Sequence, residues 1–412
     1  MIRTLNIVSG LTLFLFITTH LLNLSLGIIS IDVMEASRPY FFAIWTNFPI
    51  EIVLFLALLV HPILGLRALY LRNTLRMSNQ DKLQLFSSLL IIPLLIPHIV
   101  AIKAGENLLG MEASFTGFLT IMWVSLPLEG LRQVLLLIVA WVHGCIGLLT
   151  WISLKRWWKP IAAYVYPLAV AIPTFALLGF VEAGRDVVDR QAVQLKSSEE
   201  RTYYGGAYPV NSPKQTDKKA LANTLPSANY QTKTVTKGNV SEEKVSAEKF
   251  KQLSLAIDKQ EKLLIYGYLI ILSLVILARY LRLRRRKEWV ELHYASGEII
   301  KAEVGPTLLE IAILNDLPHA NMCHGKGRCG TCRVRILQST SELTLTDKLE
   351  QAMLDKLSSD SQTRLACQAA PSAGVVHLER LLSADLKLKS TAQEQNIDIL
   401  NATPQQKTQA NL

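Results

Sequence analysis

The chain has 412 residues, half of them hydrophobic, with a mean hydropathy of +0.27 and a formal net charge of +10. Long apolar runs crowd into roughly the first 180 residues, which excludes an ordinary soluble or disordered chain and points to an integral membrane protein. The positive charge gathers in short segments beside those runs, so it calls for no nucleic-acid partner.

Stretches of about 20 apolar residues, the length that crosses a bilayer, run over 5–28, 48–71, 83–102, 131–154, 161–181 and 263–281. No small-residue cleavage site follows the first and further spans do, so it reads as an anchor and not a removable leader. If six helices cross in turn, Arg3, Arg67, Arg72, Arg76, Lys82, Lys155, Arg156, Lys159, Arg279 and the basic run 282–287 fall on one side. The short opposite loops hold only Arg38, Lys103 and Arg132. Basic residues stay cytoplasmic, which predicts that the N-terminus and everything after the sixth span face the cytoplasm.

Four of the eight histidines, His20, His61, His98 and His143, stand one to a span on the first four spans. One such residue is ordinarily a hydrogen bond between helices. Four, one per helix, are what two six-coordinate b-type haems require, each gripped by imidazoles from two sides. At 1.5 Å per residue, His20 and His98 lie about 20 and 22 Å from the cytoplasmic ends of their spans, and His61 and His143 about 15 to 17 Å. The levels therefore pair His20 with His98 at an outer haem and His61 with His143 at an inner one. Arg67, Arg72 and Arg132 are candidates to neutralise propionates, although snorkelling at the membrane boundary explains them equally. Glu129 and Glu182 read first as solvated helix ends and second as proton relays. Cys145 reads as a small packing residue.

Between the spans, 36–45 and 115–128 carry Tyr40, Phe41, Phe42, Trp45 and Trp123 and read as interfacial anchors on the outer side. Residues 186–262 form a separate extracytoplasmic segment. Its first part, to about Asn239, is too polar to bury a core and is expected to be a loop. Val245, Phe250, Leu253 and Ile257 return at helical spacing and would extend the sixth span outward. The sixth helix and its basic tether occupy 263–287.

Beyond the tether, 288–381 reads as one domain. Residues 290–294 and 298–304 alternate as a hairpin; 307–315 is a helix capped by Thr307 with Glu310 at the third position; 333–337 and 375–378 are strands. Inside this frame stand Cys323, Cys329 and Cys332 on one glycine-punctuated loop, with Cys367 far behind. Three thiolates on a loop whose backbone N–H groups turn inward, closed by a distant fourth, is ligand spacing for a [2Fe–2S] cluster. Zinc sites usually pair two short Cys/His spacings, and a reducing compartment disfavours a disulfide pair. Gly325, Gly327 and Gly330 suit a loop that needs positive φ. His324 reads as a loop residue, and His293, His319 and His377 as surface or edge positions. Lys326, Arg328, Arg333 and Arg335 form a basic surround open to an acidic partner. Residues 382–412 read as a disordered tail.

The C-terminal part resembles the [2Fe–2S] ferredoxins of β-grasp fold, and its five residues between the first two cysteines are similar to the adrenodoxin type rather than the plant type. The stretch from Ser9 to His20 resembles the dihaem cytochrome b subunit of succinate dehydrogenases and fumarate reductases. His61-Pro-Ile-Leu-Gly-Leu-Arg67, the segment ending Ile96-Pro97-His98, and Trp141-Val-His143-Gly resemble the membrane region of bacterial class III adenylate cyclases, in which such a unit precedes a ferredoxin domain. Only a polar tail follows here, so no cyclase activity is expected. The resemblances imply a six-helix all-α membrane bundle carrying a cytoplasmic α+β domain in a bacterial inner membrane. The expected function is electron transfer between the quinone pool, two b-type haems and the cluster, with quinone/quinol and an unidentified cytoplasmic redox or signalling protein as partners. The alternatives are a redox-sensing regulator and a ferredoxin on a haem-free anchor. No nucleotide or flavin motif appears, so hydride chemistry would need a partner.

Overall fold

The computed structural model describes residues 2–109, 114–153, 155, 157–204, 240–286 and 288–382. Long apolar helices form one body: α1 (Ile2–Ser25), α3 (Phe48–Leu71), α4 (Asn79–Leu109), α6 (Pro127–Ile152), α7 (Trp158–Tyr204) and α8 (Val240–Arg284). Six helical segments among the described residues are long and apolar enough to cross a membrane. Little of each is buried against its neighbours, so their outer faces display large apolar side chains such as Leu15, Phe55, Phe86, Leu131 and Leu274. That is the pattern of a bundle solvated by lipid.

The helices run alternately up and down. One end carries the start of α1, the α3–α4 turn, the end of α6 and the end of α8. Here Arg282 donates to the carbonyl of Tyr70 and Arg279 to that of Arg72, so α8 satisfies carbonyls that α3 leaves free at its C-terminus. At the other end α2 (Ile31–Phe42) and α5 (Phe115–Thr120) lie across the bundle. Trp45, expected at the interface, is buried instead, with its indole N–H donating to Thr19. Its ring packs edge-on against Phe16, whereas Tyr40 is exposed. A tryptophan buried in a helical core needs a partner for its N–H, and the Thr19 hydroxyl supplies one.

The segment expected to leave the bundle as a loop at Asp186 is helical to Tyr204. Hydropathy misses this because the continuation is held by charge: Arg190 makes a two-pronged contact with Asp32 of α2 and reaches back to Asp186. The remainder of the expected loop, 205–239, and the expected tail from 383 lie outside the described residues. The return of helical spacing before the sixth span corresponds to α8, which begins at Val240.

The C-terminal body is a mixed five-stranded sheet in the order β2-β1-β5-β3-β4. Its strands are β1 (Trp289–Tyr294), β2 (Ile299–Glu303), β3 (Arg333–Ser339), β4 (Thr363–Leu365) and β5 (Gly374–Arg380). The β1–β2 hairpin is antiparallel, β5 runs parallel to β1, and β3 joins β5 antiparallel. Alternate residues Val290, Leu292 and Tyr294 point to the core beside Val376 and Leu378. Helix α9 (Leu308–Leu314) covers them with Leu308, Leu309 and Ile311. The Thr307–Glu310 capping box is formed as expected. Helix α10 (Lys348–Lys356) is a further element, N-capped by Asp347. Its Glu350 is fully buried, receives both guanidinium nitrogens of Arg364 and accepts from the Leu365 N–H.

Candidate functional site

The loop between α9 and β3 curls around its own cysteines. His324, Gly325, Gly327 and Gly330 all have positive φ, and a side chain on Gly330 would collide with Leu357. Thr331 ties the loop across by accepting the Met322 N–H, and Thr331 also contacts the Cys329 sulfur at 3.0 Å. The thiols come as two pairs. Cys332 Sγ lies 3.3 Å from Cys367 Sγ, and Cys323 is hydrogen-bonded to Cys329. Tetrahedral thiolate ligation at about 2.3 Å per metal–sulfur bond places two sulfurs of one metal roughly 3.7 Å apart, so each pair suits one metal ion. Among the described residues no three His, Cys, Asp or Glu side chains converge to hold a single ion. Two pairs side by side are the donor set of a two-iron cluster, in contrast to a four-thiolate zinc site.

Electrostatics differ within each pair. Cys323 is pulled down to about 5 by the hydrogen bond from the Cys329 thiol and by backbone N–H groups of Arg328, Cys329 and Lys326. Cys367 is lowered by Cys332 and by the Gln368 amide, which lies 3.4 Å from its sulfur. Cys329 and Cys332 are pushed up by those same partners and by burial. One thiol of each pair is thus the more acidic, and backbone and amide donors already favour anionic sulfur.

Each member of the basic surround has a partner within the chain. Lys326 pairs with Asp81 of α4 at 3.1 Å, Arg328 donates to the Thr150 carbonyl of α6, Arg333 is buried with its Nε on the Gly330 carbonyl, and Arg335 contacts Asp360. A second set of contacts comes from the α3–α4 turn. Asn73 donates to the Gly305 carbonyl and to Glu310, and Arg76 reaches Asp316 and the carbonyls at the end of α9. The domain is therefore seated on the bundle by contacts beyond the tether. His319, expected at the surface, is buried; His324 is exposed, and His293 faces His377 across β1 and β5 with ring centres 4.7 Å apart.

Inside the bundle the four histidines meet in twos. The rings of His20 and His98 lie 6.3 Å apart and those of His61 and His143 6.2 Å apart, measured between centres. Two imidazoles that bind one metal from opposite faces, at about 2 Å per metal–nitrogen bond, have ring centres about 6 Å apart. The upper pair, distant from the C-terminal domain, is walled by aromatic rings: Phe16, Phe42 and Phe115 all lie within 6.3 Å of His20 between centres. The His20 Nδ1 is buried and unpartnered. The lower pair is polar. Ser9 Oγ contacts His61 Nδ1 at 3.2 Å and Ser87 Oγ contacts His143 Nδ1 at 3.1 Å, so Nε2 is the nitrogen of each ring that could ligate. Gln84 lies 3.4 Å from His143 Nε2, and this contact has to open before that nitrogen can ligate. Arg132 is ion-paired with Glu129, and Arg72 contacts Met77.

Ser9, Gln84, Ser87, Asp81, Thr331 and Gln368 did not stand out in the sequence. Of these, Asp81 left a signal: Ser78-Asn-Gln-Asp81 is a helix-start pattern, and its hydrogen bonds are present at the head of α4.

A family model described as a 2Fe-2S iron-sulfur cluster binding domain matches residues 294–372, a span that contains all four paired cysteines. A 2Fe-2S ferredoxin of Pseudomonas aeruginosa is 32% identical over 78 residues, which cover 19% of this chain and 70% of that protein. The chain belongs to the [2Fe–2S] ferredoxin family. The crystal structure of an ISC-like [2Fe–2S] ferredoxin from Pseudomonas putida is 27% identical, covering 23% of this chain and 91% of that one, with a TM-score of 0.20. The matched residues 294–372 fall within the C-terminal domain.

Proposed function

We propose that the protein is a membrane-bound electron carrier in which Cys323, Cys329, Cys332 and Cys367 hold a [2Fe–2S] cluster, His20 and His98 hold one b-type haem, and His61 and His143 hold another. What carries the reading is that four intramembrane imidazoles meet as two pairs, each at the spacing of a shared metal, with the lower pair on the side of the cluster loop. When bound, these groups supply one-electron steps at three levels between the far side of the bundle and the ferredoxin domain.

The chain's own residues do the rest. Backbone N–H groups and Gln368 stabilise negative sulfur. Ser9 and Ser87 fix the orientation of the lower imidazoles and the nitrogen they present, as partners of the non-ligating nitrogen do in metal sites. The aromatic walls of the upper pair exclude water. With α1 entering and α8 leaving at the ferredoxin-bearing end, and basic residues concentrated there, the positive-inside rule puts that end in the cytoplasm. A quinol is then the natural electron donor or acceptor at the opposite end, and a cytoplasmic redox protein at the cluster.

The test is the absorption spectrum of the purified full-length protein, dithionite-reduced minus oxidised. Two b-type haem signals are expected, with His61→Ala abolishing one and His20→Ala the other. No α-band at all would reduce the protein to a ferredoxin moored on a haem-free anchor. Sustained turnover with quinol and an artificial acceptor is expected of a carrier, whereas a redox sensor stops after its centres fill.

A further inference from the structure

The cluster loop sits on two helices that lead to the lower histidine pair. Asp81 is in the first turn of α4 and divides its carboxylate between two partners: Oδ2 takes the Ser78 hydroxyl at 2.7 Å, and Oδ1 takes Lys326 of the cluster loop at 3.1 Å. The Asp81 side chain is 13% exposed, against 84% for Asp316 in the second contact with Arg76. Of the two ion pairs that join domain to bundle among the described residues, the one at the loop is thus the better shielded from water and salt.

The same face of α4 continues at three-residue steps. Gln84 contacts His143 Nε2 and Ser87 contacts His143 Nδ1. On α6, Arg328 of the loop reaches the Thr150 carbonyl, seven residues beyond His143 or about 10 Å along the axis.

We propose that Asp81 is a latch that seats the cluster loop on the ends of α4 and α6, so that the bundle, and not a soluble carrier, occupies that face of the ferredoxin domain. The inference deepens the electron-carrier reading and rests on it for its purpose: a seated loop would keep the cluster near the haem that His61 and His143 would hold, for single-electron exchange with no bond made or broken. Asp81 acts through Lys326 and touches no redox group, which makes it a positioning residue. A soluble partner then reads another face of the domain, or waits for the latch to open.

The experiment measures distance. In a full-length Cys145→Ser background, a Gd(III) chelate, which dithionite does not reduce, is attached through Leu128→Cys at the exposed start of α6, and pulsed EPR reads its separation from the dithionite-reduced cluster. A single narrow distance is expected. Asp81→Lys should lose it to a broad distribution while the cluster keeps its own EPR signal, and the charge swap Asp81→Lys with Lys326→Asp should restore it. Should Asp81→Lys fail to fold, Lys326→Glu opens the same contact from the domain side and is expected to give the same loss. An unchanged narrow distance in the charge-reversal variants, or a broad one before any change to Asp81 or Lys326, overturns the latch. The reduced-minus-oxidised absorption spectrum of the same samples reports separately on the haems, so failure of the haem reading and failure of the latch are told apart.

Discussion

In the ferredoxin domain three of the four thiols lie within ten residues on one loop, whereas in the bundle the paired imidazoles come from positions 78 and 82 residues apart. The loop gathers donors by backbone conformation, through positive-φ residues and inward N–H groups. The bundle gathers them by helix packing, with unstrained backbone and side chains that meet only because two helices cross at the right height. A loop site therefore fails when one ligand or one turn residue changes. A bundle site fails when helices shift.

The largest effect on that contrast is expected from Cys367→Ala. It leaves Cys332 without its pair and should abolish stable cluster binding, measured as iron content and visible absorption of the full-length protein, while the helices remain inserted. Next comes Glu350, fully buried against Arg364 beneath the strand that leads to Cys367. Removing one partner of a buried ion pair strands the other, so Glu350→Ala should cost about 3–5 kcal/mol of domain stability. Replacing both residues by apolar ones of similar volume should cost less than either single change. Thermal loss of the cluster absorption checks both statements. If Glu350→Ala left that transition in place, the loop would owe its geometry to the turn residues alone.

The bundle's counterpart is Gly179 of α7. A Cβ there would meet the backbone of Leu24 and Ser25 in α1, and no side-chain rotation relieves a clash with backbone. Small residues let membrane helices approach this closely. Gly179→Leu is expected to cost about 1–3 kcal/mol by overpacking, read as thermal unfolding in detergent, and to disturb the upper pair through α1, which carries His20, more than the ferredoxin domain. Equal loss of cluster and bundle stability would mean that the two bodies unfold as one.

What could be read in the sequence follows the same divide. The cysteines were legible because metal ligation demands a residue type and a spacing, and Thr307 with Glu310 because a capping box is local. The histidine pairs were legible from depth alone, since straight helices convert residue number into height. Asp347 and Glu350 repeat the helix-start pattern, yet α10 passes unnoticed because its apolar face is short and its key residue is a carboxylate whose partner lies 14 residues on. The contacts of Asp32 with Arg190 and of Asp81 with Lys326 join positions 158 and 245 apart. Periodicity and hydropathy are silent on such pairs, and for that reason the α7 extension and the seat of the ferredoxin domain emerge only in three dimensions.

The smallest effect separates the two histidine levels themselves. In the upper level His20 is surrounded by rings, whereas both lower imidazoles contact serine hydroxyls, so a hydroxyl deletion should act on one level only. When Ser87 accepts from the His143 Nδ1–H, it raises the basicity of the opposite nitrogen and favours the oxidised metal. Ser87→Ala removes that bond and should raise the midpoint potential of the lower level by about 20–60 mV, the worth of one hydrogen bond in a one-electron couple. The upper level should not move. Ser9→Ala should act in the same direction through His61. A redox titration that found both levels shifted together would mean that the hydroxyls act through helix position and not through the imidazoles they touch.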